Sequence, residues 1–202
     1  MSATPAGPVG SDEAPYDVID TREHFRGPVF TVVSDTVAMP DGQTAARDYV
    51  RHVGSVAAVA VDDQERVVLV RQYRHPLRQV LWELPAGLRD VDGEDPAVTA
   101  GRELAEEAGL VAQRWELLLT LHNSPGYSNE QILIYLARDL TEVDDGFAFE
   151  RVFEEATMTV HRVPLDEAIV MVDRGEITNA TTVAGLLAAW RRLRTAADAR
   201  RA

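Results

Sequence analysis

The stretch GLRDVDGEDPAVTAGRELAEEAGL, Gly87 to Leu110, reads as a loop, a helix and a helix stop. Asp95-Pro96 supplies a capping side chain followed by a proline at the first helical position. Ala97, Ala100, Leu104 and Ala108 then recur at helical spacing, and Gly109 is placed to end the helix. Glu103, Glu106 and Glu107 stand at i, i+3 and i+4 and are read as one face opposite Leu104 and Ala108. Three carboxylates so close repel one another, which is costly unless a cation offsets them. Carboxylate oxygens are hard ligands suited to Mg²⁺, an ion that keeps some of its waters and bridges proteins to phosphates.

Outward from this stretch the chain resolves into apolar runs. Gly54 to Val61 and Arg66 to Gln72 read as a strand, a turn over Asp62 to Glu65, and a second strand. Further upstream, β-branched and aromatic runs such as Val29 to Val33, with a Pro40-Asp41-Gly42 turn, predict a small N-terminal sheet over 16–52. Residues 1–15, rich in Pro, Gly, Ala and Ser, read as a disordered tail. Downstream, Glu116 to Leu121 and Gln131 to Ala137 predict strands, and Leu165 to Asp173 and Thr181 to Arg194 predict helices. The expected organisation is an α/β catalytic domain over 53–195, followed by a short tail over 196–202.

Composition narrows the function classes. A formal charge of −13 across 202 residues argues against holding nucleic acid by phosphate neutralisation. A small anionic substrate would then need local arginines or a divalent cation. With no cysteine in the chain, thiol nucleophiles, zinc-thiolate sites and disulfides are excluded. The five histidines are scattered without ligand spacing. No signal peptide or membrane span is evident, so the reading is cytoplasmic, with no membrane partner.

The Gly87 to Leu110 stretch resembles the Nudix box, G-x5-E-x7-R-E-U-x-E-E-x-G-U, where U is a bulky apolar residue. Glu94, Arg102, Glu103, Leu104, Glu106, Glu107, Gly109 and Leu110 match at their spacing. One departure stands out: six residues, not five, separate Gly87 from Glu94, implying a longer loop before the helix. The resemblance implies a Nudix α/β/α sandwich with a mixed sheet, preceded by the small antiparallel N-terminal sheet. It also implies Glu103, Glu106, Glu107 and the Ala86 carbonyl as ligands of two or three Mg²⁺ ions, with Mn²⁺ as a substitute. Arg102 would orient a glutamate. Such ions neutralise a diphosphate, activate an attacking water and stabilise the leaving oxygen.

Outside the box, three features resemble the ADP-ribose pyrophosphatase group of that family. These are the Ser124 to Glu130 loop, with Pro125 sixteen residues after Gly109; the runs Arg71 to Arg74 and Leu81 to Gly87; and the N-terminal sheet, which in that group helps form a homodimer and part of the substrate site. The resemblance implies a nucleoside diphosphate substrate, foremost ADP-ribose, split to AMP and ribose 5-phosphate. Arg47 and Arg74 match basic substrate positions and suit phosphate. Trp82 is read either as core or as a neighbour of the adenine, and Leu88 as lining the pocket on the metal side. Gly126, Ser128 and Glu130 fall in the ribose loop. Glu155, in the segment Glu154 to Met158 of a loop over 147–158, aligns with the group's general base, with Glu154 as the other choice. Other nucleotide substrates, or a non-catalytic ADP-ribose sensor, are the competing readings.

Overall fold

The computed structural model describes residues 16–144 and 156–201, with side chains through Thr195. The N-terminal tail assignment and Glu154 and Glu155 lie outside the described residues. The chain divides into two compact units, one of residues through His52 with Gly126–Asn129, the other of Val53–Pro125 with the residues from Glu130 onward.

The first unit is an antiparallel sheet in the order β1 (Val18–Arg26), β2 (Phe30–Ala38), β3 (Thr44–His52). Central β2 alternates, with Thr31, Val33, Asp35 and Val37 buried and the intervening residues more open, the period of a half-buried strand. The expected Pro40-Asp41-Gly42 turn joins β2 to β3. Gly42 takes φ +83° there and donates its N–H to Met39 O at 2.9 Å. Residues 126–129 extend this unit. Val50 N–H donates to Tyr127 O, Asn129 N–H to Val50 O, and His52 N–H to Asn129 Oδ1.

The second unit contains β4 (Ser55–Ala60), β5 (Arg66–Arg74), β6 (Gln79–Glu83), β7 (Ala86–Leu88), α1 (Pro96–Ala108), β8 (Leu110–His122), β9 (Gln131–Glu142), β10 (Thr159–Pro164), α2 (Leu165–Asp173) and α3 (Ala180–Arg201). Its strands form an antiparallel sheet β10-β5-β6 and a mixed sheet β7-β4-β9-β8, in which β4 runs parallel to β9. Every residue of β4 is buried, which explains its unbroken Ser-Val-Ala-Ala-Val-Ala run: helices cover both faces. Val56, Ala58 and Ala60 point to the clusters packed by α1, whereas Ala57 and Val59 point to the cluster packed by α2 and α3. The unit is therefore an α/β/α sandwich with a mixed sheet. No helix among the described residues is long and apolar enough to cross a membrane.

Several expected elements shift. The strands flanking Asp62 to Glu65 form, but in different sheets, joined only by a Val61–Val67 bridge. Asp62 makes that transition, its Oδ1 accepting the N–H groups of Gln64 and Arg66 at 3.0 and 2.9 Å. The strand expected from Glu116 begins at Leu110, directly after α1. Strand β10 was not anticipated. Helix α3 continues to Arg201, into the stretch assigned to a tail.

Helix α3 is tied to the segment before β7. Thr182, wholly buried, accepts the Leu84 N–H at 3.0 Å and donates to Asn179 Oδ1 at 3.1 Å, while its own N–H bonds the same oxygen at 2.9 Å. Thr182→Val keeps the shape but strands a buried N–H, so a loss of about 1–3 kcal/mol is expected in urea unfolding. Thr182→Ser should lose less than half of that; a loss in Thr182→Ser with none in Thr182→Val would show that the methyl group, not the hydroxyl, matters.

Candidate functional site

The α1 ends are those expected. Asp95 accepts the Ala97 N–H at 2.9 Å, and Gly109 closes the helix in the left-handed region at φ 68°. The extra residue between Gly87 and Glu94 is absorbed in a turn where Glu94 N–H bonds Val91 O at 3.2 Å and Gly93 takes φ +75°. Glu94 therefore still reaches the helix, accepting from the Thr99 hydroxyl at 2.7 Å.

Glu107 does not lie opposite the apolar stripe, as its spacing from Glu103 suggested. It stands two turns after Ala100, and with Ala100 and Leu104 it lines the buried side of α1. Its carboxylate, 7% exposed as a residue, accepts the Ala86 N–H at 2.9 Å. This bond fixes α1 to β7. Glu103 lies against the same strand. A Cβ on Gly87 would fall inside the Glu103 carboxyl group, so only glycine leaves room for it.

Arg102 sits among four carboxylates. Its Nη1 donates to Glu103 Oε1 at 2.9 Å and lies 3.6 Å from Glu106 Oε2, and its Nη2 lies 3.5 Å from Glu94 and 3.6 Å from Asp90. Nη2 is buried without a hydrogen-bond partner. One guanidinium cannot balance four acids. Burial pushes the Glu103 carboxyl up to about 7; Arg102 opposes this, and Glu106 and Asp90 add to it.

These residues fit a hard divalent cation: oxygen donors, an excess of negative charge, and a cradle that a Cβ would fill. Among the described residues no three acidic or histidine side chains converge tightly enough to hold a metal ion by themselves. Asp90 had no signal in the sequence beyond its charge, and its place near Arg102 follows from the loop's path.

A carboxyl that holds its proton to about pH 7 binds a proton more tightly folded than unfolded. Its contribution to stability is full below its ordinary value of 4.5 and is lost as pH rises through about 7. The urea midpoint of chelated protein should therefore fall between pH 5 and 8 more steeply than that of Glu103→Gln. Parallel profiles would mean that Glu103 is ionised throughout.

Arg74 makes a forked contact with Glu83, which is 3% exposed: Nε to both oxygens at 3.0 and 3.1 Å, and Nη2 to Oε2 at 2.5 Å. Trp82 is half-buried, edge-on to His161 at 4.9 Å with Arg71 over its ring at 5.1 Å, and packs on the main core. Leu88 pairs with Ser55 across β7 and β4. Glu130 accepts from the Ser55 hydroxyl at 3.2 Å and Asn123 Nδ2 at 3.3 Å. Arg47, Gly126 and Ser128 belong to the first unit, where Arg47 Nη1 donates to Ala46 O at 2.9 Å.

Comparison with known proteins gives three further findings. An ADP-ribose pyrophosphatase of Mycobacterium tuberculosis is 45% identical over 87% of this chain and 84% of its own. A methanol dehydrogenase activator of Bacillus methanolicus is 37% identical over 82% of this chain and 87% of its own. A crystal structure of an ADP compounds hydrolase superposes with a TM-score of 0.73 at 24% identity, covering 89% of this chain and 95% of that one, a likeness of fold. Residues 51–185 match the NUDIX domain, whose members generally depend on divalent metals, and with the glutamate helix, its glycine cradle and the relatives in agreement, the chain belongs to the NUDIX family.

Proposed function

We propose that the protein hydrolyses ADP-ribose to AMP and ribose 5-phosphate, using Mg²⁺. The observation that carries the reading is the acidic cluster of α1, held against Gly87 with one arginine set among four carboxylates. The substrate follows from the 45% identical relative that bears the name ADP-ribose pyrophosphatase. Bound Mg²⁺, two or three ions with Mn²⁺ as a substitute, supplies charge neutralisation of the diphosphate and a more acidic attacking water.

Within this reading, Glu103, Glu106, Glu107 and the Ala86 carbonyl hold the ions. Arg102 keeps Glu103 oriented through its 2.9 Å contact. The Glu107–Ala86 bond sets the spacing between the helix carboxylates and the Ala86 carbonyl. Arg74, Trp82, Leu88 and Glu130 are substrate contacts from the second unit, and Arg74 reaches the phosphates only from its anchor on Glu83. Arg47, Gly126 and Ser128 are assigned on resemblance. Glu155 takes the proton of the attacking water, so Glu155→Gln should lower kcat far more than it raises KM. A larger kcat loss in Glu154→Gln would move the base by one residue.

The protein is further read as a cytoplasmic homodimer. Val18, Ile19, Phe25 and Phe30, exposed on β1 and β2, support an association through the first unit.

The test is incubation of the purified protein with ADP-ribose and Mg²⁺, with and without EDTA, followed by chromatography. AMP and ribose 5-phosphate in equal amounts, lost with EDTA, are expected. Faster turnover of NADH, a dinucleoside polyphosphate or a sugar nucleotide would reassign the substrate. No turnover of any of them would leave a binding module.

A further inference from the structure

On the side of the mixed sheet away from α1, between β8–β9 and α3, lies a groove of about 810 Å³. Its walls include Arg114, Arg138, Arg192, Glu116, Leu136 and Leu193. That is within the range of pockets that take small organic ligands.

The local backbone explains why arginines gather here. Leu136 belongs to the cluster packed by α2 and α3, yet Leu140, four residues on, packs with the α1 cluster. In a regular strand the two would share a face. Asp139 lies between them at φ 58°, a left-handed residue that turns the strand over. Arg138, just before the switch, shares Leu136's side and is paired across the ladder with Arg114. The two arginines are therefore cross-strand neighbours, where like charges repel.

Only one of them is balanced within its pair. Asp139 gives both oxygens to Arg114, at 2.5 Å to Nε and 2.9 Å to Nη2. Arg192 of α3 is paired with Glu116. Among the described residues Arg138 forms no salt bridge, although its charge also acts on Asp139, and its Nε is buried with no acceptor. A sealed donor without an acceptor is costly, and a cation next to another cation makes it costlier. Three arginines against the two carboxylates that pair with them, Asp139 and Glu116, leave the groove one positive charge in excess.

We propose that this groove is a second binding site, for a small organic phosphate monoester anchored by Arg138. The phosphate would accept from Arg138. Its second charge would fall to Arg192, whose pairing with Glu116 is exposed and cheap to exchange. Leu136 and Leu193 offer apolar wall to the organic part. In a chain of net charge −13 such a cationic recess is where a free phosphate ester would settle.

The proposal does not depend on the hydrolytic reading, since the site shares no residue with the glutamate cluster. Isothermal titration calorimetry with ribose 5-phosphate, in EDTA at low salt, tests it without turnover. Saturable one-to-one binding is expected, weakened about tenfold or more in Arg138→Gln and unchanged in Arg174→Gln, which removes the same charge elsewhere. Inorganic phosphate should bind more weakly, and ribose not at all. If Arg138→Gln does not fold, as judged by near-ultraviolet circular dichroism, Arg192→Gln is the second variant and should also weaken binding. No saturable binding, equal loss in Arg174→Gln, or full binding in the groove variants would overturn the assignment.

Discussion

Glu107→Gln is expected to lower turnover roughly a hundredfold or more with the fold intact. The two halves of that expectation come from different atoms. The Glu107 carboxylate occupies a position of α1 that packing reserves for an apolar side chain, and its Oε2 accepts the Ala86 N–H at 2.9 Å. A glutamine places a carbonyl oxygen at the same spot, so the link between α1 and β7 survives. What is lost is the negative charge, and with it the hard anionic ligand that the proposed reading assigns to Glu107. Steady-state kinetics with ADP-ribose and a thermal melt separate the two. Near-normal kcat would remove Glu107 from the cation site; a large drop in melting temperature would make its role mainly structural.

Gly87→Ala should be nearly as damaging to activity and mild for stability. The added Cβ would overlap the Glu103 carboxyl group. The overlap is with the far end of a flexible side chain, so Glu103 swings away at small energetic cost, about 1 kcal/mol or less. Activity is less forgiving, because a ligand displaced by about 1 Å costs about a hundredfold. The measurement is kcat as a function of Mg²⁺ concentration. A right-shifted metal dependence with a lowered plateau is expected, and an unchanged profile would show that Glu103 works from another rotamer.

The sequence was most legible where structure is locally encoded. Helix α1 has its cap, its proline and its closing glycine within the chain itself, and its limits follow from them. Helix α2, from Leu165 to Asp173, likewise lies where it was expected. Short β6, β7 and β10 are different: β7 spans three residues and exists because Ala86 to Leu88 pair with β4. No local pattern carries that information. The four-residue spacing from Glu103 sets Glu107 on the polar face, whereas its seven-residue spacing from Ala100 sets it on the buried one, where it lies. A charged residue on the buried stripe was itself a signal of function. The Arg74–Glu83 contact was invisible because it depends on the register of β5 on β6.

One junction has a consequence for length variation in this chain. Gly109 ends α1 with its N–H on Ala105 O at 3.0 Å, and the next residue, Leu110, already begins β8. There is no slack between helix and strand. Upstream, the turn over 91–94 absorbs a residue without moving Glu94 from Thr99. Insertions and deletions should thus be tolerated asymmetrically. Ahead of the helix they vanish into a loop, while one residue added after Gly109 must either break the cap or push β8 out of register with β9, taking the buried Leu110 out of the core.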